Sequence, residues 1–152
     1  MANKNEHARY ASVGAWAKRC YLTGRSVMDS ALRPHGLGAT QWYVLHQLAE
    51  VGPTMQRDLV RLLEIERATL SIVIASLVRK GLVEQVADAA DMRQKQLFLT
   101  PAGRALWDEL PDLGFIQDVA FDGLSKSDIE IAARVLRQAT ERLQQQLKGV
   151  KA

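Results

Sequence analysis

The sequence predicts a mostly α-helical chain carrying one small β-hairpin, an α+β protein built around its helices. Three observations lead there. Apolar residues recur at helical spacing through most of the chain. Only one stretch, VEQVADAADMRQKQLFLT from Val83 to Thr100, replaces that period with two short alternating runs around an acidic turn. The helical runs are punctuated by stop and start signals at Pro34, Gly52-Pro53, Gly81 and Thr100-Pro101.

The first helix spans roughly His7 to Arg33. Tyr10, Val13, Ala17, Cys20, Val27 and Ala31 share its spacing, and Trp16, Leu22, Met28 and Leu32 widen the apolar surface beyond one stripe. Such a helix wants more than one neighbour. Pro34 stops it, because proline disfavours the helical conformation of the residue before it. Gly36-Leu37-Gly38 is a loop, after which Thr40 is expected to cap a second helix, QWYVLHQLAEV, that ends at Gly52-Pro53. A short amphipathic helix follows from Gln56 to Glu64, then another from Arg67 to Lys80. Gly81 suits a left-handed C-terminal position, with Arg79 and Lys80 complementing the negative end of the helix dipole.

Beyond the hairpin, Thr100 caps a helix that has proline at its first position and runs to about Leu110. The acidic stretch from Pro111 to Leu124 is expected to be less regular. Ser125 to Asp128 can cap a long last helix. Along it Ile129, Ala132, Leu136, Ala139, Leu143 and Leu147 repeat at spacings of three and four, a seam for a partner helix.

The totals exclude more than they identify. The chain has 152 residues, 47% of them apolar, so a sizeable core can be buried. Its net charge of +3 is too small to name a partner. One cysteine, Cys20, rules out an intrachain disulfide and a cysteine-rich metal site. The polar start MANKNEHARY carries no signal-peptide core, and no run of about 18 apolar residues offers a membrane span. The expectation is a soluble cytoplasmic protein with no membrane role and no cofactor. His7, His35 and His46 are scattered without a carboxylate cluster, so no metal site is expected. No nucleophile elbow, phosphate loop or paired carboxylates point to an enzyme.

Two short helices joined by a tight turn, then a hairpin, form a winged helix-turn-helix. Its second helix suits a DNA major groove about 12 Å wide. The N-terminal end of that helix brings Arg67, Thr69 and Ser71 to the groove. The hairpin would point toward the flanking minor groove, where its Arg93 meets negative potential. Arg57 and Arg61 on the supporting helix are candidates for phosphate contact, and Lys95, on the outgoing strand of the hairpin, is a further DNA-binding candidate.

The runs LGATQWYVLHQLAEVGP, QRDLVRLLEIERATLSIVIASLVRKGLV and DMRQKQLFLTPAGRAL resemble the MarR family of dimeric winged-helix transcriptional regulators. The resemblance covers about residues 36 to 107 by motif. It implies a homodimer whose first and last helices intertwine, and two recognition helices on successive major grooves of a pseudo-palindromic operator. It also implies a small aromatic acid or phenol bound between the dimerisation and DNA-binding parts, and released DNA as the consequence. Residues 1–35 and 101–152 would then form the dimerisation domain, around a DNA-binding domain at 36–100.

The chain departs from the family pattern at three places. Ile72 stands where the family often has arginine, Met92 interrupts an Asp-Arg-Arg wing, and Gln85 replaces a strand arginine. From Thr54 to Thr100 there are seven basic and six acidic residues, a net of +1 and a thin electrostatic footprint.

Trp16, Arg19 and Cys20 fall where family ligand pockets reach, and an arginine beside aromatics can clamp a carboxylate. With Trp42 they are the candidate ligand residues. Each also has a plain reading: Trp16 as core, Arg19 as surface, Cys20 as a small buried hydrophobe, Trp42 as packing. Two other functions stay open at this point. One is a redox-responsive regulator acting through Cys20. The other is a winged-helix adaptor that binds proteins instead of DNA.

Overall fold

The computed structural model describes residues 4–150, with side chains described from residue 12 onward. Tyr10 and His7 therefore lie outside the described side chains. The elements in order are α1 (Lys4–Leu32), a short 3-10 turn (Arg33–His35), α2 (Ala39–Glu50), β1 (Thr54–Met55), α3 (Gln56–Leu63), α4 (Arg67–Arg79), β2 (Val83–Ala87), β3 (Lys95–Leu99), α5 (Pro101–Glu109), α6 (Phe115–Phe121) and α7 (Lys126–Val150). They form two compact units, residues 1–113 and 114–152.

In the first unit, α2, α3 and α4 pack against the sheet, while α1 and α5 pack against α2. Leu32, Val44, Leu45, Leu59, Leu70, Ile74, Leu77 and Leu97 are almost fully buried and form its core. Removing each of these side chains from water contributes about 1.5–3 kcal/mol. The α4 residues Leu70, Ile74 and Leu77 fall four and three apart, which is why a single face of that helix is anchored.

The hairpin pairs in register from Val83 opposite Leu99 to Ala87 opposite Lys95. A third strand extends it, because Thr54 pairs with Leu97 and Met55 with Gln96. The sheet order is β1-β3-β2. The strand before α3 is absent from the sequence reading because two residues carry no alternation.

Several local expectations hold. Gly81 adopts the left-handed conformation (φ 72°) after α4. The Thr100 hydroxyl accepts from Gly103 N at 3.0 Å, with Pro101 opening α5. Ser125 Oγ accepts from Asp128 N at 3.1 Å at the head of α7. The cap of α2 differs from expectation. That helix starts at Ala39, and Thr40 does not cap it. Gln41 reaches back to accept from Gly38 N (3.1 Å), and Asp29 of α1 accepts from Ala39 N (2.7 Å). An acceptor from a different helix has taken the orphan donor, so the cap is tertiary.

In the second unit, α6 supplies a short helix where the sequence suggested irregular chain. The long helix α7 has no buried residue; Ile129 is half-buried, and Ala132, Leu136, Ala139, Leu143 and Leu147 are all exposed. Among the described residues no helix is long and apolar enough to cross a membrane.

Candidate nucleic-acid interface

With Leu70, Ile74 and Leu77 turned inward, the opposite face of α4 is necessarily the outer one. Arg67, Ala68, Thr69, Ser71, Ile72, Ala75, Val78 and Arg79 are all exposed. Arg67 opens the helix, so its guanidinium sits at the positive end of the helix dipole. The Thr69 side chain makes no hydrogen bond to any described residue.

Ser71 is differently engaged. Its hydroxyl donates to Arg67 O (3.0 Å) and accepts from Gln56 Nε2 (3.4 Å). Gln56 Oε1 in turn accepts from Gln85 Nε2 at 2.7 Å. This relay ties β2 of the wing, α3 and α4 together. Ser71 therefore holds elements in place rather than offering a free donor outward. Ser71 is exposed, but its partner Gln56 lies too far along the chain for the sequence to reveal the engagement.

At the wing tip, Asp88 N donates to Gln94 O and Gln94 N to Asp91 O, both at 2.9 Å, closing the turn. Asp91 Oδ1 accepts from Arg93 N (3.1 Å) and from Arg93 Nε (3.3 Å). The Arg93 side chain is 91% exposed, so this pairing orients the guanidinium while leaving most of its donors outward. Arg57 and Arg61 both lie 4.0 Å from Asp58, at the limit of an ion pair, and all three are largely in water. Such exposed pairs contribute about 0–1 kcal/mol. Lys95 begins β3 and is half-buried.

The candidate ligand residues separate into two groups. Trp16 and Arg19 meet on α1, with the guanidinium carbon 5.1 Å from the ring centroid. Trp16 is 64% exposed and Cys20 is exposed, so neither is the core residue of the plain sequence reading. They lie on the part of α1 whose apolar surface the first unit leaves uncovered. Trp42 stacks on His46 (4.9 Å) and lies 5.5 Å from Trp107 of α5. Trp107 Nε1 donates to Glu50 and Arg104 to Ala49 O, which clasps α5 to α2. Among the described residues no hydrogen bond, ion pair or ring contact links the two groups.

The sequence reading missed Arg25. This half-buried residue donates to the Tyr21 hydroxyl (3.4 Å) and to Thr40 Oγ1, bridging α1 to α2. It forms no ion pair with any described residue. The available signal was the ladder Tyr21, Arg25, Asp29 at successive spacings of four on one helix face.

An outward recognition helix, a supporting helix and a β-wing with a cation at its tip define a winged helix-turn-helix protein. Residues 35–94 match the model of the MarR family. The chain belongs to that family and is a DNA-binding regulator of the MarR type. A probable transcriptional regulator from Pseudomonas aeruginosa is 31% identical, with a TM-score of 0.68 over 86% of this chain and 96% of its own. BpsR from Bordetella bronchiseptica, whose DNA binding is regulated by 6-hydroxynicotinic acid, is 29% identical, with a TM-score of 0.73 over 85% and 98%. A mutant of MarR from E. coli complexed with operator DNA shares the fold at 19% identity, with a TM-score of 0.76 over 86% and 95%.

Proposed function

We propose that the chain is a cytoplasmic, ligand-responsive repressor: a homodimer that occupies a pseudo-palindromic operator and is released by a small aromatic acid or phenol. The observation that carries this reading is the outward face of α4 beside a wing whose tip presents Arg93 to solvent. Arg67 and Thr69 would enter the major groove, Arg93 the flanking minor groove, and Arg57 and Lys95 would meet phosphates. Two such units sit one helical turn apart, about 34 Å, on a two-fold operator. The exposed seam of α7, from Ile129 to Leu147, takes the second copy. Residues 1–35 and 101–152 supply the dimerisation domain around the DNA-binding residues 36–100.

Arg25 is the cation best suited to hold the effector. A half-buried guanidinium whose described partners are two neutral hydroxyls, and which forms no ion pair with any described residue, has donors to spare. A carboxylate supplies acceptors for them and a countercharge. BpsR responds to 6-hydroxynicotinic acid, which combines a carboxylate with an aromatic ring. Trp16, Arg19, Cys20 and Trp42 remain candidates for the ring side of such a site. The effector acts only through its different affinity for the DNA-competent and released spacings of the recognition helices.

The test is a fluorescence-anisotropy titration with DNA enriched by random-site selection, at two salt concentrations, with and without a panel of aromatic acids. Specific binding relieved by one acid is expected. Arg25→Leu should retain DNA binding and lose the response to that acid. Absence of any enriched DNA would favour a protein-binding adaptor. Release by peroxide, abolished in Cys20→Ser, would instead favour redox control through the exposed thiol.

A further inference from the structure

We infer that Ile72 reads thymine by its 5-methyl group, so that this regulator selects a T at one fixed position in each operator half-site. The inference rests on the DNA-binding reading above and specifies the base chemistry that its recognition helix seeks. At 100° per residue, the line directly opposite the buried Leu70, Ile74 and Leu77 is occupied by Ala68, Ile72 and Ala75, ending at Arg79. All four are exposed, and Ile72 is 72% exposed. The crest of the helix, the part that goes deepest into a major groove, is therefore apolar.

Nothing on that crest before Arg79 can donate or accept a side-chain hydrogen bond. Ser71 beside it has its hydroxyl proton committed to Arg67 O. Ala68 and Ala75 are small, so the helix backbone can approach the bases closely, and Ile72 alone projects between them. A β-branched residue in a helix is held in essentially one χ1 rotamer. Its methyl groups thus occupy a fixed place instead of adapting to whatever base they meet. In the major groove, the apolar group that distinguishes one base pair from another is the C5-methyl of thymine. Opposite any other base edge, Ile72 would cover a donor or acceptor without replacing its hydrogen bond to water.

The experiment uses the full chain and the DNA recovered by random-site selection. Each thymine of the half-site is replaced in turn by deoxyuridine, which removes only the methyl group, and affinity is read by fluorescence anisotropy. For the wild type, one symmetry-related pair of positions should weaken binding by about fourfold per methyl, the worth of one buried methylene, and about fifteenfold when both half-sites are changed. Ile72→Ala should bind the selected site more weakly and show no further loss at that pair. Ile72 lies on the surface, so the variant should keep the wild-type circular dichroism spectrum and melting temperature. If every deoxyuridine site binds the wild type as well as thymine does, or if Ile72→Ala loses the same factor, the methyl reading is overturned while the DNA-binding reading stands. If selection recovers no DNA at all, the DNA-binding reading has failed, and the inference fails with it.

Discussion

Gly103 in the first turn of α5 sets the sharpest steric condition in the first unit. A Cβ placed there would lie 2.2 Å from Leu82 O, 2.7 Å from Leu99 Cδ1 and 3.1 Å from Leu82 C. The leucine methyl can rotate away. The carbonyl cannot, because it already accepts from Thr100 N at 3.1 Å. Carbon and oxygen approach to about 3.3–3.6 Å at ordinary closeness, so in Gly103→Ala the start of α5 must retreat by roughly 1 Å. Overpacking of this kind costs about 1–3 kcal/mol. The retreat also strains the Thr100 to Leu82 hydrogen bond, worth about 1 kcal/mol. Better helix propensity returns about 0.5–1 kcal/mol. The net is a loss of about 2 kcal/mol, which for a chain of this length lowers the melting temperature by about 4–8 °C. Thermal unfolding followed by circular dichroism measures it, at one fixed protein concentration because association shifts the midpoint. Gly14→Ala is the matched control: that glycine lies within α1 with nothing within 4 Å of its added Cβ. It should leave the midpoint unchanged or raise it. If Gly103→Ala behaves like Gly14→Ala, the close approach of α5 to the base of the wing is not a constraint on this fold.

Three further outcomes follow from the same structure. Asp29→Ala removes the acceptor for Ala39 N and should cost about 1 kcal/mol in denaturant unfolding, whereas Asp29→Asn keeps an oxygen there and should lose only the smaller charge–dipole part. Arg93→Ala should leave the melting temperature unchanged, since its pairing with Asp91 lies in water, yet weaken operator binding and flatten the salt dependence by about 0.9 in log–log slope for each phosphate it no longer neutralises. Leu136→Asp places a charge in the exposed seam of α7 and should shift sedimentation from dimer toward monomer; an unaltered dimer would move the interface elsewhere.

The parts of the fold that could be read from the sequence are those whose causes are local. The span of α4, the left-handed Gly81 behind it and the Thr100-Pro101 start of α5 each depend on residues within one turn of the feature they set. The features that escaped depend on distant partners. Thr54 and Met55 become a strand only because Leu97 and Gln96 lie opposite. Thr40 loses the cap of α2 to Asp29, ten residues upstream of the amide it accepts from. Trp16 suits a core by size and spacing, yet nothing in the first unit covers it. Periodicity reports that a face wants burial, but not whether the cover belongs to the same molecule. The site divides the same way. The extent of α4 was legible in the sequence, whereas the Ala68–Ile72–Ala75 crest of its outer face, the commitments of Ser71 and the bridging role of Arg25 required the third dimension.

The thin charge of the winged segment gives the Gln85–Gln56–Ser71 relay its significance. With seven basic and six acidic residues between Thr54 and Thr100, attraction to phosphate alone cannot hold many orientations of the protein on DNA. Affinity must come from surfaces already set at the correct separation, because each side chain ordered on binding subtracts from what the contact yields. The relay sets that separation. It runs from β2 through α3 to α4 by hydrogen bonds of 2.7 and 3.4 Å, so the wing and the recognition helix present one surface rather than two. Gln85 carries no charge, and its side chain is a strut to Gln56. On the reading proposed for Ile72, the exposed crest of α4 likewise offers a rigid apolar side chain in place of a cation. The ratio of specific to non-specific affinity, rather than affinity itself, is what such a surface favours.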